Sequence, residues 1–167
     1  MAELTLNERL QPSLIDRLRD DEPDKNVESR AQRVLSINRL RRSVQRDLGW
    51  LLNCGNLEVT EDLGNFPEVA KSVLNFGVPD LTGSTTSSVD VKYLERQLRT
   101  AILNFEPRLL ADALKVTAEI DQQKMSRNAM SFLIQGQLWA QPLPVNLFLS
   151  TELDFETGSA SLAEAKG

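Results

Sequence analysis

The spacing of apolar positions changes once along this chain, near residue 106. Upstream, apolar residues recur every three or four positions, the period of an amphipathic helix. Downstream they alternate with polar ones, the period of a half-buried strand. From Ser36 the seam runs Ile37, Leu40, Val44, Leu48 and Leu51, which predicts a helix to about Asn53, stopped by Gly55. A second seam, Val91, Leu94, Leu98, Ala101 and Phe105, follows Ser87 and Asp90, an acidic form of the capping box. Pro107 disfavours helical geometry in the residue before it, so that helix must end near Glu106. Two shorter helices are also expected. Ser13 and Asp16 frame one that carries Leu14, Ile15 and Leu18 on a single face and stops at Pro23. Asn65-Phe66-Pro67-Glu68 starts the other, with Val69, Val73 and Phe76 turned inward and Gly77 at its end.

Beyond the junction, Leu114, Val116, Ala118 and Ile120 alternate with polar residues, then Phe132, Ile134 and Leu138, then Val145, Leu147, Leu149, Leu153 and Phe155. Short polar connections between three such strands favour an antiparallel meander. Helices followed by strands give an α+β fold: a helical N-terminal half, then a small antiparallel sheet of three or more strands. The expected organisation is a docking helix and linker over 1–26, a single α+β domain over 27–158, and a flexible tail of small and polar residues over 159–167. Gly83 to Ser88, rich in Gly, Ser and Thr, is expected to be a mobile loop.

Composition narrows the chemistry. At 41% hydrophobic and 26% charged over 167 residues, the chain can bury a core without disulfides or metals. Histidine is absent, which removes the commonest general base and the commonest metal ligand together and excludes Ser-His and Cys-His catalysis. The single cysteine, Cys54, among Trp50, Leu51 and Leu52, reads as a buried, inert thiol of a reducing compartment. No cofactor or metal is expected. The first residues lack the basic start and apolar run of a secretory signal, and no stretch approaches the roughly 20 apolar residues of a membrane span. A cytoplasmic location without a membrane span is the expectation.

Three charged groupings remain. Arg30, Arg33, Arg39, Arg41, Arg42 and Arg46 form a stretch that raises nucleic-acid binding, but the net charge of -5 and the lack of interleaved aromatics favour a solvated face or an acidic protein partner. Glu152, Asp154 and Glu156, with Glu106, are the one carboxylate set suited to glycoside hydrolysis. An exposed acidic strand face does not raise a carboxyl pKa, and Arg108 beside Glu106 favours the ionised form, so catalysis is the weaker reading. At Glu106-Pro107-Arg108 a fixed backbone corner carries two opposite charges. It serves either as an internally capped corner or as a charged pair aimed across an interface.

Ser13-Leu-Ile-Asp-Arg-Leu18, Ser43-Val-Gln-Arg-Asp-Leu-Gly-Trp-Leu-Leu-Asn53, Ser72-Val-Leu-Asn-Phe-Gly-Val-Pro-Asp-Leu81 and Phe105-Glu-Pro-Arg108, in that order, resemble the TssE family. These are type VI secretion baseplate subunits related to the lysozyme-like wedge protein of contractile phage baseplates. Gly49 departs from the better helix former usual there and weakens the local helix by about 1 kcal/mol. The resemblance implies a structural, non-enzymatic role. It implies that Leu14, Ile15, Asp16 and Leu18 dock on the wedge subunits TssF and TssG. It implies also that Glu106, Pro107 and Arg108 support a sheet engaging the sheath proteins TssB and TssC. An exposed strand edge, Leu114 to Ile120 or Val145 to Phe155, would pair with a sheath strand by β-augmentation. The competing reading is a peptidoglycan hydrolase, motivated by the lysozyme-like name and the acidic strand.

Overall fold

Both long helical seams form. The computed structural model describes residues 13–18, 24, 37–83, 89–119, 129–140 and 144–165. A short helix, α1 (Leu14–Leu18), precedes the long α2 (Ile37–Leu52). A four-residue helix, α3 (Pro67–Ala70), follows, and then the second long one, α4 (Val91–Phe105). The sheet consists of β1 (Lys115–Glu119), β2 (Ala129–Leu138), β3 (Val145–Asp154) and β4 (Ala160–Glu164), antiparallel throughout and in sequential order. The α+β expectation holds.

The core lies between the two long helices and one sheet face. Leu40, Val44, Leu48, Leu51 and Leu52 of α2 and Leu94, Leu98, Ala101 and Ile102 of α4 are buried. They pack with Val116, Phe132, Ile134, Leu138, Leu149 and Leu153 from alternate strand positions, and with Phe155. Register enforces this: Val116 stands opposite Ile134, and Ile134 opposite Leu149, so a slip of one residue would turn every buried side chain to water.

Several expectations need correction. No tail frays from Ser159: Ala160–Glu164 pairs with Leu149–Leu153 as a fourth strand. Its apolar alternation, Ala160, Leu162 and then Glu164, is too short to register as a period. The added strand makes β3 interior, so Val145 to Phe155 is not an edge. The expected helix from Pro67 to Phe76 breaks after one turn into a 3-10 turn at Val73–Asn75, because Ser72 caps Leu74 N–H and Asn75 folds inward. Asn75 Nδ2 donates to Ala70 O while its Oδ1 accepts from Glu58 N–H, and Val73 is left exposed. Cys54 is exposed rather than buried, since α2 has ended and the chain is turning. Asp90 caps α4, its carboxylate accepting from Tyr93 N–H. Ser87, most of the Gly83 to Ser88 run, Ile120, Arg30 and Arg33 lie outside the described residues.

The turn after α2 depends on one glycine. Gly77 has φ +134°, and a Cβ there would lie 2.4 Å from Cys54 O, at the point where Gly55 and Val78 bridge. Gly49, inside α2, is the opposite case, for a Cβ would meet nothing within 4 Å. The two Gly→Ala substitutions should therefore differ in sign in chemical denaturation. Gly49→Ala should stabilise by about 1 kcal/mol, and Gly77→Ala should destabilise by at least ~2 kcal/mol.

Candidate protein-interface site at the helix-to-sheet junction

The junction begins where α4 can no longer continue. Glu106 leaves helical geometry ahead of Pro107, with φ -121° and ψ 78°, while its N–H still donates to Ile102 O. Two residues on, Trp139 N–H donates to Arg108 O at 2.7 Å and Leu110 N–H to Gln137 O, clamping the corner to the end of β2. The turn directs both charged side chains back over α2.

Glu106 is only 3% exposed. Arg108 meets it with two prongs, Nε on Oε1 at 2.7 Å and Nη2 on Oε2 at 2.5 Å, and Arg108 N–H adds a third bond at 3.1 Å. The rest of the guanidinium reaches α2, Nη1 donating to Ser43 Oγ at 3.0 Å and Nη2 to Asp47 Oδ2 at 2.6 Å. Burial opposes the charge on Arg108, but the hydrogen bonds and charge of Glu106, then those of Asp47, outweigh it and raise its pKa. Of the two readings left open for this motif, the internally paired corner is the one observed.

The network continues to α1. Asp47 Oδ1 accepts from Arg46 Nε at 2.9 Å, and Arg46 Nη1 pairs with Asp16 Oδ1. The other oxygen of Asp16 accepts from Ser13 at 2.6 Å and from Ser43 at 2.8 Å. Arg46 holds the Asp16 carboxyl well below the usual range, against a smaller opposing effect of burial, with the two serine hydroxyls assisting. The expected capping pair is present, as Asp16 N–H donates to Ser13 Oγ. Five alternating charges therefore join α1, α2 and the sheet corner. The sequence names the two ends, Asp16 and Glu106-Arg108, as separate motifs. It does not disclose Ser43, Arg46 and Asp47, although polar residues three and four apart on α2 were a signal that two faces of that helix are used.

Above this network lies a groove of about 400 Å³. Leu14, Ile15, Trp50, Phe76, Phe105 and Pro107 line it, with Arg108 at its border. Phe76 and Phe105 meet edge to face at 5.3 Å, and Arg46 lies over the Trp50 ring. Leu14 and Leu18 are 70% and 76% exposed, so α1 presents its apolar residues to solvent.

The acidic strand does not join this site. Glu152 is exposed on β3, and Asp154 accepts from Glu156 and Thr157 N–H in the β3–β4 turn, bonds that lower its pKa. None of the three carboxylates lines the groove at Glu106. Within the arginine stretch, Arg41 donates to Asn146 O and Arg46 to Asp16 and Asp47, while Arg42 is exposed and donates to Asn38 O on its own helix. Among the described residues, no group of three or more potential ligands is placed to hold a metal ion.

Removing Arg108 would strand a buried carboxylate. Arg108→Ala should destabilise by about 3–5 kcal/mol in urea unfolding, well beyond an exposed ion pair. Asp16 supplies a pH signature. Its depressed carboxyl contributes to attachment of α1 in full above the unfolded value near 4, and the contribution fades as pH falls below it. Asp16→Asn should therefore flatten the loss of stability between about pH 5 and 2, as measured by thermal midpoint.

A search of family models matches residues 38–143 to the family described as baseplate wedge protein gp25. Searches of curated proteins and of solved structures returned no match. The matched span contains Ser43, Arg46, Asp47, Glu106 and Arg108, and stops short of β3 and β4. Covering well over half of the 167 residues, it establishes that the chain belongs to the baseplate wedge protein gp25 family.

Proposed function

We propose that this chain is the baseplate subunit of a type VI secretion system, similar to TssE, and that it links the wedge subunits TssF and TssG to the contractile sheath. Membership of a baseplate wedge family supports a structural role in a baseplate. In that role the subunit stands at the cytoplasmic side of the inner membrane and turns over no substrate. Among the described residues, no helix is long and apolar enough to cross a membrane.

The observation that carries the linking role is the continuous ion network from Asp16 to Glu106. It fixes an exposed apolar helix and its groove at one end and a four-stranded sheet at the other, so that a partner seated on α1 sets the orientation of the sheet. Leu14, Ile15 and Leu18 would bury their exposed surface on the wedge. Glu106, Pro107 and Arg108 would hold the sheet, whose edge accepts a strand of TssB or TssC and so helps to start sheath polymerisation. Against hydrolysis, both oxygens of Glu106 already accept hydrogen bonds from Arg108, so neither is free to face a glycosidic oxygen.

The test separates docking from folding. Leu14→Ser with Leu18→Ser changes exposed residues, so the thermal midpoint should stay within a few degrees. Loss of roughly 1.5 kcal/mol or more of burial at each leucine should weaken co-purification with the wedge subunits at least tenfold and stop sheath extension in cells. Normal wedge recovery and normal sheath extension with this variant would sink the proposal.

A further inference from the structure

A four-stranded open sheet has two edges, and here each is covered by polar side chains of the helix beside it. On β1, Ala118 N–H donates to Glu95 Oε1 at 2.8 Å, and in the turn leading into that strand Arg99 donates to Leu114 O and Ala111 O, each at 3.1 Å. On β4 the outward residues follow from the ladder. Asp154 N–H donates to Ser159 O and Ala165 N–H to Phe148 O, so Ser159, Ser161, Ala163 and Ala165 face β3, while Ala160, Leu162 and Glu164 face away. Side chains of α2 and of Asn53, the residue that follows it, meet these outward groups. Asn53 exchanges two hydrogen bonds of 2.9 Å with the Ala160 backbone, and Gln45 Nε2 donates to Leu162 O at 3.2 Å.

The two covers differ in strength. Glu95 and Arg99 are charged, and Glu95 is also tied to Lys92 at 2.9 Å; charge-assisted bonds are about twice as strong as neutral ones. Gln45 and Asn53 are neutral amides, and the two Asn53 bonds to β4 are exposed to water, that of Gln45 partly buried. The α2 stripe that faces β4 also has an open middle. Between Gln45 and Asn53, one turn from each, stands Gly49, with no side chain and empty space where one would be. The carboxamide of Asn53, one donor and one acceptor on a single backbone residue, supplies what a neighbouring strand would supply.

We infer that β4 is the edge at which an extended strand of a partner protein is added, and that Asn53 and Gln45 are displaceable occupants guarding it until that strand arrives. The inference deepens the reading proposed above, taking the sheath as the source of the strand. It gives the two amides a function that packing does not require: an uncovered β4 would pair with a second copy of itself, a hazard of any exposed edge. β1, held by charged groups, is left as the permanently closed side.

Three measurements on the full chain test it, with the cognate sheath heterodimer as probe. In amide hydrogen exchange of the unmodified protein, the Leu162 and Glu164 amides should slow at least tenfold on binding, and Val116 and Ala118 should not. Gln45→Ala with Asn53→Ala should bind roughly fivefold tighter, since the strand no longer displaces those bonds, and should self-associate without partner in sedimentation. Leu162→Pro removes an outward N–H that an edge strand can lose; a folded variant should not bind. Protection at Val116 and Ala118 instead, or unchanged binding by folded Leu162→Pro, overturns the edge assignment while leaving the sheath link intact. If the unmodified chain binds no sheath protein, the sheath reading fails, and the edge stands or falls on self-association: a double variant that stays monomeric overturns it.

Discussion

Glu106 is a carboxylate withdrawn from water at the point where helix becomes sheet, and the rest of the molecule is arranged around keeping it paired. A buried charge is tolerable only when its lone pairs and its electrostatics are both satisfied. Arg108 does both, because a planar fork can bond two oxygens of one group and still present donors elsewhere. A lysine in that place could meet the charge but not the geometry. The remaining donors reach Ser43 and Asp47, which adds a directional constraint on the azimuth of α2 to the one its buried leucines impose.

Once that azimuth is set, the other faces of α2 acquire definite tasks. Leu40, Val44, Leu48 and Leu51 enter the core, Ser43 and Asp47 meet the junction, Arg46 reaches α1, and Gln45, Gly49 and Asn53 run along β4. A helix bearing a core on one side, an ion network on a second and a strand edge on a third has little surface free to vary. Of the described arginines in this segment, Arg41 and Arg46 donate to acceptors on other elements, while Arg42 stays exposed along its own helix.

Periodicity disclosed the elements that bury a wide stripe. α2, α4 and the three long alternations were legible because their apolar residues recur often enough to fix a period, and Pro107 marked the boundary between the two periods. β4 escaped because five residues with one large apolar side chain, Leu162, carry no period, so the interior place of β3 was hidden as well. Val73 was misread for a related reason: a break after Ala70, imposed by Ser72 and Asn75, resets the facing of every residue behind it. At the site, the charged corner could be found from three residues, but whether its charges faced in or out could not. That depended on Ser43 and Asp47, more than sixty positions away in sequence and visible only once α2 and the junction are packed together.

Joining α1 to the sheet corner through ions rather than through apolar packing alone has a mechanical consequence. Apolar contacts are non-directional and allow elements to slide by a rotamer at little loss. A bidentate guanidinium loses most of its energy within about 1 Å and a few tens of degrees. Asp16, Arg46, Asp47, Arg108 and Glu106 therefore form a chain of directional bonds, each charge held by one of opposite sign. Its middle members are partly exposed, so salt and water loosen the α1 end before the Glu106 end, where burial keeps the dielectric low. The connection is thus graded: rigid at the sheet corner, more yielding at α1. In the role proposed for this chain, that gradient would let α1 adjust as a partner seats on it while the sheet keeps its angle.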